Sequence, residues 1–164
     1  MASGVTLTIE PGVTVKFDAG KSLIIEGMLL AQGTSSGKIK FTSSSETPES
    51  DAWGFIEFAN SSIDAIFDSG IYTGNQNYVS GSILEYCIVE YGNSTGNGAV
   101  LVSDASPFIN YCNFQNNSLT RGGGQVDHVA NAIKFNSPTD VSHSRITNNT
   151  FNNNKVAIDM TGAG

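Results

Sequence analysis

The sequence predicts an all-β solenoid, a single domain over residues 1–164 whose short strands run parallel from one coil to the next. Three observations lead there. A two-strand phrase is written twice, as GAVLVSDASPFINYCNFQNN from Gly98 to Asn117 and as NAIKFNSPTD from Asn131 followed by VSHSRITNNTFNNN from Val141 to Asn154. Apolar residues inside each copy stand two apart, the pleat period of a strand that buries one face. Gly is frequent and Pro scarce, Asn and Ser crowd the gaps between apolar runs, and no stretch of useful length carries a helical period.

The copies align Val100, Leu101 and Val102 with Ile133, Lys134 and Phe135, and Ile109, Cys112 and Phe114 with Ile146, Asn149 and Phe151. WGFIEFANSS from Trp53 and VAIDMTGAG from Val156 repeat the first half, and SILEYCIVEYGN from Ser82 repeats the second. Stacking them predicts four inward columns. These are Ile56, Val100, Ile133, Ile158; Phe58, Val102, Phe135, Met160; Leu84, Ile109, Ile146; and Val89, Phe114, Phe151. A unit this small cannot shelter its own apolar face, so neighbouring units must stack into a continuous core. At roughly 20 to 25 residues per coil the chain makes about seven coils.

Residues 5 to 33 read as two simpler coils, VTLTIEPGVTVKF and KSLIIEGMLLAQG, with Leu7 and Ile9 stacked on Leu23 and Ile25, and Val13 and Val15 on Met28 and Leu30. Pro11-Gly12 and Glu26-Gly27 make the corners. KIKFTS from Lys38 is a further strand, and the polar loop after it carries Glu46, Glu49 and Asp51. Trp53 reads as a packing lid rather than a sugar platform. Two longer insertions follow, one between Asn60 and Gly81, apolar enough to fold over one side of the solenoid, and one after Asn117 that contains Gly122, Gly123 and Gly124.

The charge balance limits the partners. Fifteen acids against eight bases give a net charge of −7, with no basic patch of the kind that phosphate contacts need, so nucleic acid is not expected. No run of about 18 apolar residues is present to insert in a membrane. Met1-Ala2-Ser3 leads straight into a strand with no signal peptide, and the chain reads as a fragment of a longer protein with neighbouring domains. Its uncapped ends suggest end-to-end self-association. Cys87 and Cys112 occupy one slot in successive coils. Stacked strands about 4.8 Å apart bring such a pair within disulfide range, yet Asn149 fills the slot next, which favours a column of small weakly polar groups and free thiols.

TLTIEPGVTVKF, SLIIEGMLLAQGT, KIKFTSS, WGFIEF and SILEYCIVEYG together resemble the right-handed parallel β-helix superfamily, the pectin-lyase-like fold. The resemblance covers nearly the whole chain and rests on core and corner positions, not on chemistry. It implies a right-handed solenoid and a secreted or cell-surface setting. It also implies polysaccharide as the substrate class, were the chain an enzyme.

Catalysis on such a scaffold needs polar groups gathered on adjacent coils. Arg121, Asp127 and His128 are the one basic, acidic and imidazole group close in sequence, and they are the catalytic candidates for a lyase or glycoside hydrolase acting on acidic glycans. Arg145 faces Phe108 and Ile83, which is no acidic site. No metal motif occurs, so no cofactor is expected; calcium is left open by Glu46, Glu49 and Asp51, which lack the alternating spacing of a calcium loop. The leading expectation is a non-catalytic extracellular module, a structural spacer or a platform that binds polysaccharide. Its ligand would lie on Tyr86, Glu90, Tyr91, Tyr111, Gln115 and Asn152, because sugar hydroxyls need amide partners and sugar faces stack on rings.

Overall fold

The strands follow the chain in threes. The computed structural model describes residues 1–68, 77–117, 131–136 and 144–160. Its first turn holds β1 (Thr6–Ile9), β2 (Thr14–Phe17) and β3 (Leu23–Ile25), and its second β4 (Met28–Gln32), β5 (Ile39–Ser43) and β6 (Ile56–Phe58). A hairpin, β7 (Ile66–Phe67) and β8 (Tyr78–Ser80), precedes the third turn of β9 (Ile83–Glu85), β10 (Cys87–Glu90) and β11 (Val100–Ser103). The fourth turn is β12 (Phe108–Asn110), β13 (Asn113–Gln115) and β14 (Asn131–Asn136), and the fifth β15 (Arg145–Thr147), β16 (Thr150–Asn152) and β17 (Val156–Asp159).

Like strands of successive turns pair in parallel, giving three five-stranded sheets. Sheet A is β1-β4-β9-β12-β15, sheet B is β2-β5-β10-β13-β16 and sheet C is β3-β6-β11-β14-β17. The predicted all-β solenoid of parallel strands is therefore present, and the repeat columns fall in register except at Met160, which follows β17 and, like Ile158, is exposed rather than inward. Val100 pairs with Ile56 and Ile133, Ile133 with Ile158, and Val102 with Phe58 and Phe135. Ile109 pairs with Leu84 and Ile146, and Phe114 with Val89 and Phe151.

Three features of the sequence reading are corrected: the number of turns, the strands in each turn and the stacking partners in the first turn. The described strands make five turns, not about seven, and each turn has three strands rather than two. Register partners lie 22 residues apart at Thr6 and Met28 and 25 apart at Ile83 and Phe108. They lie 53 apart at Leu30 and Ile83, across the hairpin, and 37 apart at Phe108 and Arg145, so a uniform coil length overcounts. Leu7 and Ile9 stack on Leu29 and Ala31, not on Leu23 and Ile25, which instead pair with Ile56 and Phe58. Val15 stacks on Phe41. Leu7 and Leu23 thus belong to one turn on different sheets. Short strands separated by a Gly corner carry the same alternation whether the next strand lies around the corner or one turn above, and periodicity alone does not separate the two.

Inside, Ile25, Leu29, Phe41, Ile56, Phe58, Leu84, Val89, Ile109, Phe114 and Ile133 are fully buried. Each contributes about 1.5–3 kcal/mol of hydrophobic stabilisation. Trp53 is also fully buried, stacked on Phe17 with ring centroids 4.3 Å apart, and its indole N–H donates to the Glu90 carbonyl at 2.8 Å. The packing-lid reading of Trp53 holds. Cys87 and Cys112 are buried free thiols.

Asparagine closes the corners. The Asn117 amide donates to the Val89 carbonyl at 2.9 Å and accepts from the Gly92 N–H at 3.0 Å, so it spans the turn below. Asn154 repeats the pattern one turn on, donating to Phe114 O and accepting from Asn117 N–H, and Asn149 does the same for Ile109 O and Cys112 N–H. Each side chain satisfies a buried donor and acceptor that the sheets leave open at the bend. The hairpin folds onto sheet A. Phe67 packs edge-on to Phe108 at 5.1 Å, Tyr78 stacks on Phe108 at 6.0 Å, and the Arg145 guanidinium lies 4.0 Å over the Phe67 ring. A Cβ at Gly81 (φ 97°) would overlap the Asp64 carbonyl oxygen, so only glycine brings the chain back from the hairpin to β9.

Candidate functional site

Strand alternation turns Lys40, Ile88, Asn113 and Thr150 outward along one row of sheet B, and Thr42, Glu90, Gln115 and Asn152 along the next. These side chains bond to one another across turns. Glu90 is nearly buried and accepts from Lys40 Nζ at 3.2 Å, Thr42 Oγ1 at 3.0 Å and Gln115 Nε2 at 2.6 Å. Asn113 Nδ2 donates to Gln115 Oε1, and Thr150 Oγ1 donates to Asn113 Oδ1. Glu85, on the outer face of sheet A, is held in the same manner by Asn110 Nδ2 at 2.9 Å and Gln32 Nε2 at 3.4 Å. A carboxylate whose lone pairs are occupied by lysine, hydroxyl and amide donors is a fixed acceptor, part of the framework of the face.

Tyrosines stand at both corners that border this face. Tyr86 (φ 49°) and Tyr111 (φ 50°) occupy the corner between sheets A and B, and Tyr91 (φ 61°) the corner after sheet B. All three are left-handed, a conformation uncommon for a bulky residue. Adjacent turns fill the same slots with Asn148 (φ 55°) in the first corner and with Asn116 (φ 57°) and Asn153 (φ 52°) in the second. The Tyr86 and Tyr111 rings lie parallel, centroids 4.9 Å and planes 5° apart. Tyr111 is 44% exposed. Five strand steps separate Tyr86 from Tyr91, at most about 16 Å at about 3.3 Å per residue. Beside Tyr91 an open depression of about 450 Å³ is lined by Pro48, Glu49, Ser50, Tyr91 and Asn116.

All six ligand-binding candidates therefore lie on or beside sheet B. Glu90, Gln115 and Asn152 form one register column of its outer face, and Tyr86, Tyr111 and Tyr91 flank it. The catalytic candidates Arg121, Asp127 and His128 lie outside the described residues, as does His143. Arg145 sits over the Phe67 ring. Sequence reasoning passed over Lys40, Thr42 and Gln32, whose strands β4 and β5 carry no recognisable copy of the repeat. Among the described residues no three His, Cys, Asp or Glu side chains gather as a metal site.

Two groups have shifted acidities. Burial, with a smaller contribution from the Glu85 charge, raises the Tyr78 phenol, whose O–H donates to Gly81 O at 2.6 Å. A hydrogen bond to the Cys112 thiol and then burial push the Cys87 thiol far above its ordinary value. Comparison of the chain with protein-family models, with curated proteins and with solved structures finds no match.

Proposed function

We propose that this chain is a non-catalytic module of a secreted or cell-surface protein, a right-handed parallel β-helix of the pectin-lyase-like kind whose sheet B face binds polysaccharide. Right-handedness is the expected sense of parallel crossover connections. One observation carries the binding reading. Tyrosine is held in left-handed corners on both sides of sheet B, in slots where the adjoining turns use asparagine. Such backbone costs on the order of 1–3 kcal/mol per residue and is retained where it serves a site. Rings at the borders with amides and hydroxyls on the floor match the two faces of a sugar.

The tyrosine positions supply the test. Affinity electrophoresis through gels containing soluble polysaccharides should retard the native chain, and Tyr111→Asn should clearly reduce the retardation without unfolding the protein. Equal mobility of the two proteins in every retarding gel would remove the basis of the reading. The competing lyase reading has its own assay: unsaturated-uronate absorbance from an acidic glycan with calcium, lost in Arg121→Ala, would replace binding by catalysis.

A further inference from the structure

We propose that the glycan on the sheet B face lies along the strands, across the solenoid axis, with one end on the Tyr111 ring and the other in the depression beside Tyr91. The site then takes an unbranched run of sugars longer than a disaccharide. The inference rests on the glycan reading above and follows from where ring, floor and depression fall in the register. Strand β13 connects them. Tyr111 stands at the corner before that strand and Asn116 at the corner after it, and Asn116 lines the depression with Tyr91, Pro48, Glu49 and Ser50. Five residue steps separate the two corners, at most about 16 Å at about 3.3 Å per residue, which is beyond the reach of two linked sugars.

Between the corners the floor suits a sugar chain. Outward Asn113 is half-buried beside its register partner Ile88, also half-buried, so an amide and an apolar side chain lie together under the path. Asn113 gives one amide N–H to Gln115 and Gln115 gives one to Glu90, which leaves each side chain a second N–H for a hydroxyl oxygen. The direction along the axis offers less. Its ring column is two turns deep, Tyr86 and Tyr111, and the next slots hold Asn148 on one side and, on the other, Lys38, which precedes the Ile39 paired with Cys87. At about 4.8 Å per turn, two slots give a chain running up the solenoid ring contact over a single sugar. The depression of about 450 Å³ lies off that column, at the far border of sheet B.

The experiment titrates the native chain with linear fragments, from two to six units long, of mixed-linkage β-glucan, xylan and polygalacturonate. In a series that binds, affinity should rise about tenfold or more between two units and four, and by less than about threefold beyond, once the span is filled. Tyr111→Asn should weaken the six-unit fragment about 3- to 10-fold. Tyr91→Asn, which places in this slot the residue that adjacent turns use, should do the same and flatten the dependence on length. In the native chain the amide resonances of Ser50 and Asn116 should move with the six-unit fragment, together with that of Tyr111. Affinity that levels off at two units, or shifts that run from Tyr111 to Lys38 and Asn148 and leave Ser50 and Asn116 unmoved, would overturn the strand-wise path and leave the glycan reading standing. No binding by any series, or binding indifferent to Tyr111→Asn, would overturn both.

Discussion

Tyr86 and Tyr111 lie ring on ring across one turn of the solenoid, 4.9 Å between centroids, each on a left-handed backbone that the following turn gives to Asn148. The ring pair stabilises by about 0.5–1.5 kcal/mol, and the backbone of each tyrosine opposes it by a similar amount. Tyr111→Asn is therefore expected to stay within about 1 kcal/mol of the native stability in a urea melt. A double-mutant cycle with Tyr86→Asn should return a coupling of about 0.5–1.5 kcal/mol. A loss of several kcal/mol from the single change would show that the corner tyrosines serve the fold rather than a ligand.

Asn117 is the opposite case. It is fully buried and serves Val89 O, Gly92 N–H and Asn154 at once. Asn117→Ala strands a donor and an acceptor, with an expected cost of about 2–4 kcal/mol. The exposed Asn153, whose amide donates to Asn116 from a left-handed corner, should lose only about 1 kcal/mol on change to alanine, mostly from the backbone conformation that alanine disfavours. Equal effects of the two substitutions on the denaturation midpoint would contradict the bracing role given to the inward asparagines.

Most of this architecture was legible because the strands of turns three to five copy one another. Val102 over Phe135 and Phe114 over Phe151 follow from aligning the copies, since a stacked core demands like residues one above the other. The first two turns were not legible in the same way. TLTIEPGVTVKF and SLIIEGMLLAQG hold neighbouring strands around a corner as well as strands one turn apart, and alternation looks alike in both relations. The candidate face was legible in its residues but not in its bonding. That Glu90 is occupied by Lys40 and Thr42 depends on partners 48 or more residues away, on a strand whose sequence repeats nothing recognisable.

Cys87 and Cys112 share a register slot, are almost fully buried, and the Cys87 thiol is held protonated by its neighbour and by burial. Thiolate is the reactive form, so a thiol-specific disulfide reagent at neutral pH should label neither residue in the native chain and both in denaturant. Rapid labelling of the folded protein, or the mass of an oxidised pair in freshly purified material, would count against this packing.

Tyr78 gives the pH dependence its sign. Its folded acidity is raised above the ordinary value of 10.0 by burial and by Glu85, so the unfolded chain loses this proton first as pH climbs. The stabilisation is fully present below about pH 10 and is lost as pH rises through the folded value. Denaturant midpoints should accordingly fall more steeply between about pH 9 and 11 for the native chain than for Tyr78→Phe, and parallel curves would refute the assignment.

The binding face itself is tested most directly by following backbone amide resonances while a neutral mixed-linkage β-glucan oligosaccharide is added. Shifts should gather at Tyr86, Tyr91, Tyr111, Gln115 and Asn152 and saturate together with one dissociation constant. Shifts confined to the outer face of sheet C, or a spectrum unchanged at saturating sugar, would contradict a glycan site on sheet B.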